Sequence, residues 1–270
     1  MYEAHWQLKS KPFESTGNTA FHYPVAAHHA ARLKIQYAIE SRRAAAMIIG
    51  PPGIGKSLLV NGLTKQLSEA SLQFIRVDYP LLSTDELLAD LAMRASKSES
   101  EASDKLQHLT QIEKWLSSVR ESASHAVIVI EEAHLLQDPS VAESLRIIPF
   151  LGGHEVPGAT MLLVGQSTLA PWLNAFPAWE AHFGAKCHLP ALTCDETMGY
   201  VAHRLRAAGA TKNVFTNKAI EALHHLSGGV PRRINRLADL ALLVGFAEDI
   251  KQVDLTQIEA VAEELALGVD

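Results

Sequence analysis

Cysteine is almost missing from this sequence. Cys187 and Cys194 are its only two, and neither lies in a CxxC pair. That argues against a disulfide scaffold and for two reduced thiols. Long apolar runs are missing too: none approaches the ~20 residues needed to span a bilayer. The N-terminal stretch MYEAHWQLKSKPFE lacks the apolar segment of a secretory signal, so a cytoplasmic protein is expected. There is no excess of positive charge. With 24 basic against 30 acidic residues the formal charge is -6, which gives no global pull towards nucleic acid and leaves only a local basic patch as a route to it. Metal-binding spacings are likewise lacking. Thirteen histidines include the pairs His28–His29 and His224–His225, but adjacent side chains on a helix diverge by about 100°. His125 and His134 flank one apolar run without forming HExxH or a Cys/His pattern. Repeats and low-complexity segments are absent.

What remains is an ordinary globular composition, 47% apolar and 20% charged over 270 residues, long enough for a large core. Five short apolar runs read as strands: 44–50, 73–79, 125–131, 159–165 and 185–192. Near-continuous apolarity between helical stretches predicts a parallel sheet covered on both faces. Residues 104–122 show Leu106, Leu109, Ile112, Leu116 and Val119 at helical spacing, predicting an amphipathic helix. The small polar run SKSESEASD before it reads as an exposed loop. Beyond Pro190 the β-like runs stop and four helical stretches follow, with Asp195, Thr216 and Asp254 as cap-like residues and Gln257 completing a capping-box variant. The expected architecture is an α/β domain over 1–190 followed by a small all-helical domain over 191–270. Trp6, Phe13 and Trp115 read as core or interface residues. Trp172 and Trp179 leave two readings open, a partner surface or burial under the sheet.

The chemistry concentrates at two places. MIIGPPGIGKSLLV (47–60) contains GxxxxGKS between a predicted strand and a predicted helix, the setting a phosphate loop requires. Gly53 and Gly55 let successive backbone N–H groups turn towards phosphate oxygens. Lys56 can reach the β- and γ-phosphates, Ser57 can offer its hydroxyl to Mg²⁺, and the helix dipole adds positive potential. VIVIEEAHLL (127–136) ends a strand in two adjacent acids. Beside a phosphate loop, Glu131 suits the Mg²⁺ shell and Glu132 suits a general base for the attacking water. Taken alone, both carboxylates could also cap the following helix.

MYEAHWQLKSKPFE, the phosphate loop, IVIEEAHLL, LLVGQSTL, HLPAL and SGGVPRRINRLAD, in that order, resemble the ExeA/GspA-type AAA+ ATPases of general secretion, relatives of the transposition ATPases. The resemblance implies a P-loop NTPase with an ATP site and a helical lid. Gly50, Pro51, Pro52, Gly53, Ile54, Gly55, Lys56, Ser57 and Leu58 would form Walker A, and Glu131 and Glu132 Walker B. Gln166 would be the sensor 1 residue that orients water, and Arg232 the sensor 2 arginine, with Arg233 and Arg236 as neighbouring rivals. Phe21, Tyr23 and Pro24 resemble the segment lining the adenine pocket; core packing is the other reading of the two rings. It further implies ATP and Mg²⁺ as cofactors, a nucleotide-dependent ring of identical subunits, and a protein partner in a secretion- or envelope-related system.

Three departures from the pattern stand out. Glu131 occupies a place usually held by Asp. No arginine precedes the last strand, where His182 and Lys186 stand instead, so a finger would have to come from these or from Arg146, Arg204 or Arg206. The chain also stops at Asp270, short of the membrane segment and envelope-binding region of larger relatives. An arginine finger is worth ~10³–10⁵ in rate, so slow ATP hydrolysis suited to a switch is expected. A non-hydrolysing nucleotide-dependent scaffold and a DNA-associated ATPase are the alternatives.

Overall fold

A computed structural model of the chain describes residues 1–14, 21–67, 71–96, 104–136, 138–153 and 155–267. Most of the predicted polar loop SKSESEASD, residues 97–103, lies outside them. The elements run α1 (Ala26–Glu40), β1 (Ala45–Ile49), α2 (Lys56–Leu67), β2 (Leu72–Val77), α3 (Thr84–Ser96), α4 (Lys105–Glu121), β3 (His125–Ile130), α5 (Pro139–Ile147), β4 (Ala159–Gly165), α6 (Leu169–Leu173), α7 (Pro177–Glu180), β5 (Phe183–His188), α8 (Cys194–Ala207), α9 (Asn217–Ser227), α10 (Pro231–Ala247) and α11 (Leu255–Leu267). Among the described residues no helix is long and apolar enough to cross a membrane.

The five strands form one parallel sheet in the order β2-β3-β4-β1-β5. Of its three inner strands β3 and β4 are buried at every residue and β1 at all but its last, as strands covered on both faces must be, which is why their sequences are near-continuous apolar runs rather than alternating ones. The edge strand β5 alternates between exposed and buried positions along Gly184–His188. It ends at His188, short of the predicted 185–192, because its one neighbour β1 ends at Ile49, whose carbonyl accepts the last ladder bond from the Leu189 N–H at 2.8 Å.

Helix α4 matches its predicted span, and of the five predicted apolar positions Ile112, Leu116 and Val119 are buried, Leu109 packs partly buried against the core and Leu106 faces out. Leu106 is 73% exposed and His108, Ile112, Leu116 and Val119 point inward. Asp104 caps the helix by accepting from the Gln107 N–H at 2.9 Å. The cap of α8 is Thr193, in a full capping box with Glu196, rather than Asp195. Thr216 caps α9 as expected, and Gln257 Oε1 accepts from the Asp254 N–H at 3.0 Å.

Two compact units emerge. One comprises Ala27–Pro51 and Gly55–Leu189; the other comprises Met1–Ala26, Pro52–Ile54 and Pro190–Asp270. The N-terminal segment therefore does not belong with the sheet, as the predicted 1–190 domain had it. Tyr2, Trp6, Leu8, Phe13 and Phe21 bury themselves in the core of the helical unit, among Tyr200, Leu205, Leu237 and Leu242. Trp6 Nε1 donates to the Leu242 carbonyl at 3.0 Å, and Tyr2 hydrogen-bonds Asp239. Five large apolar side chains lying so near the N-terminus need a core, and α8 and α10 supply it. In the sheet unit Trp179 is 2% exposed and belongs to the core, with Trp172 packed against it.

Candidate functional site

Parallel strands end on one edge of the sheet, so the residues just after β1, β3 and β4 are neighbours. In this strand order β4 separates β1 from β3. The edge therefore carries Gly50 and the start of the loop, then Gln166, then Glu131 and Glu132. The Gly50 amide continues the ladder to the Gly165 carbonyl at 3.3 Å, and the Glu131 amide donates to the Val77 carbonyl at 2.9 Å.

On this edge Lys56 opens α2 and is buried, and its Nζ donates to the carbonyls of Gly50 and Pro51 at 2.9 and 3.0 Å. The ammonium is thus held at the mouth of the loop by weak, replaceable acceptors. Gly55 has φ +105, and a Cβ there would stand 3.3 Å from His28 Nε2 of α1. Ser57 Oγ donates to Glu131 Oε2 at 2.9 Å. Leu58, one residue on, is exposed.

Glu131 is 3% exposed, and burial raises its carboxyl above the ordinary carboxylate range against the opposing Ser57 hydroxyl and Arg76 guanidinium. Its second oxygen, Oε1, makes an ion pair with Arg76 Nη2 at 3.2 Å but carries no hydrogen bond. Glu132 takes the left-handed conformation, φ 48 and ψ 34, a strained state for a non-glycine residue, and its side chain is half exposed. Its Oε2 lies 3.4 Å from His134 Nδ1. His134 Nε2 is in turn 2.8 Å from Gln166 Nε2. An amide nitrogen can only donate, so His134 accepts through Nε2 and keeps its hydrogen on Nδ1, facing Glu132. Gly165 makes room for this arrangement, since a Cβ there would meet the His134 amide nitrogen at 3.0 Å. Glu132, His134 and Gln166 thus form a line across the tips of β3 and β4.

In the helical unit Gly53 has φ +84, and a Cβ on it would sit 2.6 Å from Arg232 Cβ. The Arg232 amide donates to the Gly53 carbonyl at 3.3 Å while its side chain is exposed. Of its two rivals, Arg233 is occupied with the Leu226 carbonyl at 3.2 Å, near the end of α9, and Arg236 is exposed on the same helix. Phe21 is buried with the Arg204 guanidinium over its ring at 4.9 Å, and Tyr23 packs on α8 beside Tyr200 and His203. Both rings are thus part of this unit's own packing.

Most finger candidates are otherwise engaged. Arg204 is buried, donating to the Pro12 and Glu14 carbonyls at 2.6 Å each, so it cannot reach a neighbouring subunit. His182 packs on Phe150, with ring centroids 4.9 Å apart. Burial and the nearby Arg146 push its pKa below the usual histidine value, so it lacks the charge a finger needs. Arg146 pairs with Glu143 at 2.8 Å, and Lys186 with Glu180. Arg206, exposed on α8, bonds the Ala202 carbonyl of its own helix at 3.2 Å.

Sequence reasoning missed Arg76 and the bridging place of His134. Arg76 left a signal, being the one charge inside the run QFIRV, a costly residue in a strand unless a partner waits for it.

Comparison with known proteins agrees with this geometry. A family model described as AAA domain matches residues 39–173. The chain is 29% identical over 98% of its length to General secretion pathway protein A of Aeromonas hydrophila, and it spans about half, 49%, of that relative. Among solved structures it is similar to Drosophila ORC bound to DNA, with TM-score 0.75 at 12% identity over 98% of this chain and 66% of that one. It is also similar to the ORC2 protein of Aeropyrum pernix in its ADPNP–ADP complexes, with TM-score 0.62 at 17% identity over 92% and 71%. The family model covers half the chain, from the end of α1 through the strands that carry the loop, both carboxylates and Gln166, and so this chain belongs to the AAA domain family, with the P-loop NTPase fold and a likeness to General secretion pathway protein A.

Proposed function

We propose that the chain binds ATP with Mg²⁺ and hydrolyses it slowly, as a switch controlling its own assembly or a partner complex in a secretion- or envelope-related system. The observation that carries this reading is the 2.9 Å bond from Ser57 Oγ to Glu131 Oε2, which joins the loop's hydroxyl to the strand-tip carboxylate. Mg²⁺ fits these two groups: a hydroxyl and a buried carboxylate, one of whose oxygens carries no hydrogen bond, are hard oxygen donors. Ser57 and Glu131 would hold the ion, which when bound supplies positive charge to the phosphate oxygens.

The chain's own groups have distinct tasks in this reading. Backbone N–H groups of Gly53, Ile54 and Gly55, with Lys56 Nζ, bind phosphate; Lys56 exchanges the Gly50 and Pro51 carbonyls for a stronger anionic acceptor. Glu132 is exposed enough to meet a water and takes its proton as general base. His134 and Gln166 fix the position of that carboxylate and of the water. Arg232, whose backbone lies beside Gly53, adds a cation towards the phosphates. Slow turnover is the expectation because His182, Arg204, Arg146 and Lys186 are engaged, leaving the exposed Arg206 of the five candidates, and a missing finger removes ~10³ or more in rate. The formal charge of -6 disfavours the DNA-associated reading, whatever nucleic acid Drosophila ORC holds.

Steady-state ATP hydrolysis and solution mass, each with and without ATP–Mg²⁺, test this directly. Wild-type protein should bind ATP, turn it over well below 1 s⁻¹ (kinases, for comparison, reach ~1–100 s⁻¹), and enlarge with ATP–Mg²⁺. Glu132→Gln should bind equally and lose turnover. Brisk hydrolysis by the wild-type protein alone would overturn the switch, and an inert monomer that binds ATP would favour the scaffold.

A further inference from the structure

Arg76 has no part in the nucleotide reading, yet it is held from three sides. It lies on β2 opposite Val129 of β3. Its Nε donates to Asp78 Oδ1 at 2.6 Å, its Nη1 bonds Asn61 Oδ1 of α2, and its Nη2 faces Glu131 Oε1 at 3.2 Å. Nη2 therefore forms an ion pair with the oxygen of Glu131 that the Ser57 hydroxyl leaves open. The guanidinium also borders a cleft of about 280 Å³ lined by Asn61, Thr64, Lys65, Phe74 and Val129, which gives it room to swing aside without repacking the core.

We propose that Arg76 is a positioning residue that holds the Glu131 carboxylate while no divalent cation is bound and must yield it when one binds. This rests on the nucleotide–cation reading of the loop and deepens it. A cation taking Ser57 and Glu131 as ligands competes for the same carboxylate and is repelled by the guanidinium. Arg76 then keeps the site ordered when empty and raises the cation concentration needed to fill it. One carboxylate then serves the two partners in turn.

The test is binding of a fluorescent ATP analogue in EDTA and across a MgCl₂ titration. Arg76→Gln should leave the EDTA affinity within about threefold and lower the half-saturating Mg²⁺ concentration about tenfold, equivalent to 1.4 kcal/mol. Arg76→Lys keeps the charge and should stay within about threefold of wild type. Arg76→Met, which retains the apolar stem, carries the same expectation should the glutamine variant fail to fold. A half-saturating Mg²⁺ concentration unchanged or raised in the neutral variants overturns the inference while leaving the nucleotide site standing. Absence of analogue binding by the wild-type protein under both conditions overturns the nucleotide reading and the inference together.

Discussion

Replacing Arg204 by methionine should loosen the helical unit from the inside. The guanidinium donates two charge-assisted hydrogen bonds, to the Pro12 and Glu14 carbonyls, and lies over Phe21. Each such bond contributes about 1.5–3 kcal/mol and a ring contact of this kind about 0.5–2 kcal/mol. Against them stands the desolvation of a buried cation, several kcal/mol by itself; it shows in a guanidinium pKa pushed down by burial. Methionine avoids that penalty and fills much of the space, but it strands two carbonyls. The expected net loss is about 2–3 kcal/mol. Because the chain has two compact units, a single melting curve would mix them. Hydrogen exchange resolved by peptide separates them: protection should fall across residues 1–14 and α8, while β3 and β4 stay unchanged. Arg206→Met on the exposed side of the same helix is the control, expected within ~0.5 kcal/mol of wild type. A loss below 1 kcal/mol for Arg204→Met, or an equal loss for both variants, would refute the clamp.

Gly53→Ala should weaken nucleotide affinity at least tenfold, since a Cβ at φ +84 is strained and would stand 2.6 Å from Arg232 Cβ; equilibrium binding in EDTA reads this without hydrolysis. His134→Ala should reduce turnover about tenfold with ATP affinity unchanged, by releasing Glu132 and Gln166 from their common neighbour, and a matching rise in Kd would show a structural role instead. His125 gives a pH signature: burial and then the Arg42 charge lower its pKa from 6.5 to about 4. The folded protein therefore favours the neutral ring, so this contribution is complete above pH 6.5 and is lost as pH falls towards 4. It amounts to about 3 kcal/mol at most, and denaturant titrations of His125→Gln against wild type should show a flatter acid limb.

The sequence carried the sheet because its signals are local. The strand runs at 125–130 and 159–165 are buried on both faces, so their apolarity is unbroken and their ends are marked by Glu131 and by Gly165 followed by Gln166. GxxxxGKS likewise announces itself, because the loop's conformation is written in consecutive residues. Helix α4 was legible in extent and in most of its inward face, because Leu109, Ile112, Leu116 and Val119 recur at helical spacing; His108, which completes that face, is polar and gave no signal.

The pairings that give the site its character join residues far apart in the chain. Arg76 meets Glu131 only because β2 pairs with β3 in one register. His134 reaches Gln166 only because β4 lies beside β3 and ends in a glycine. Arg204 looked like any exposed arginine until Pro12 and Glu14 were folded against it. Local backbone preference and burial patterning suffice to specify the strands, the loop and the residue types at the strand tips. Which charge neutralises which carboxylate depends on strand order and packing, and these are properties of the whole fold.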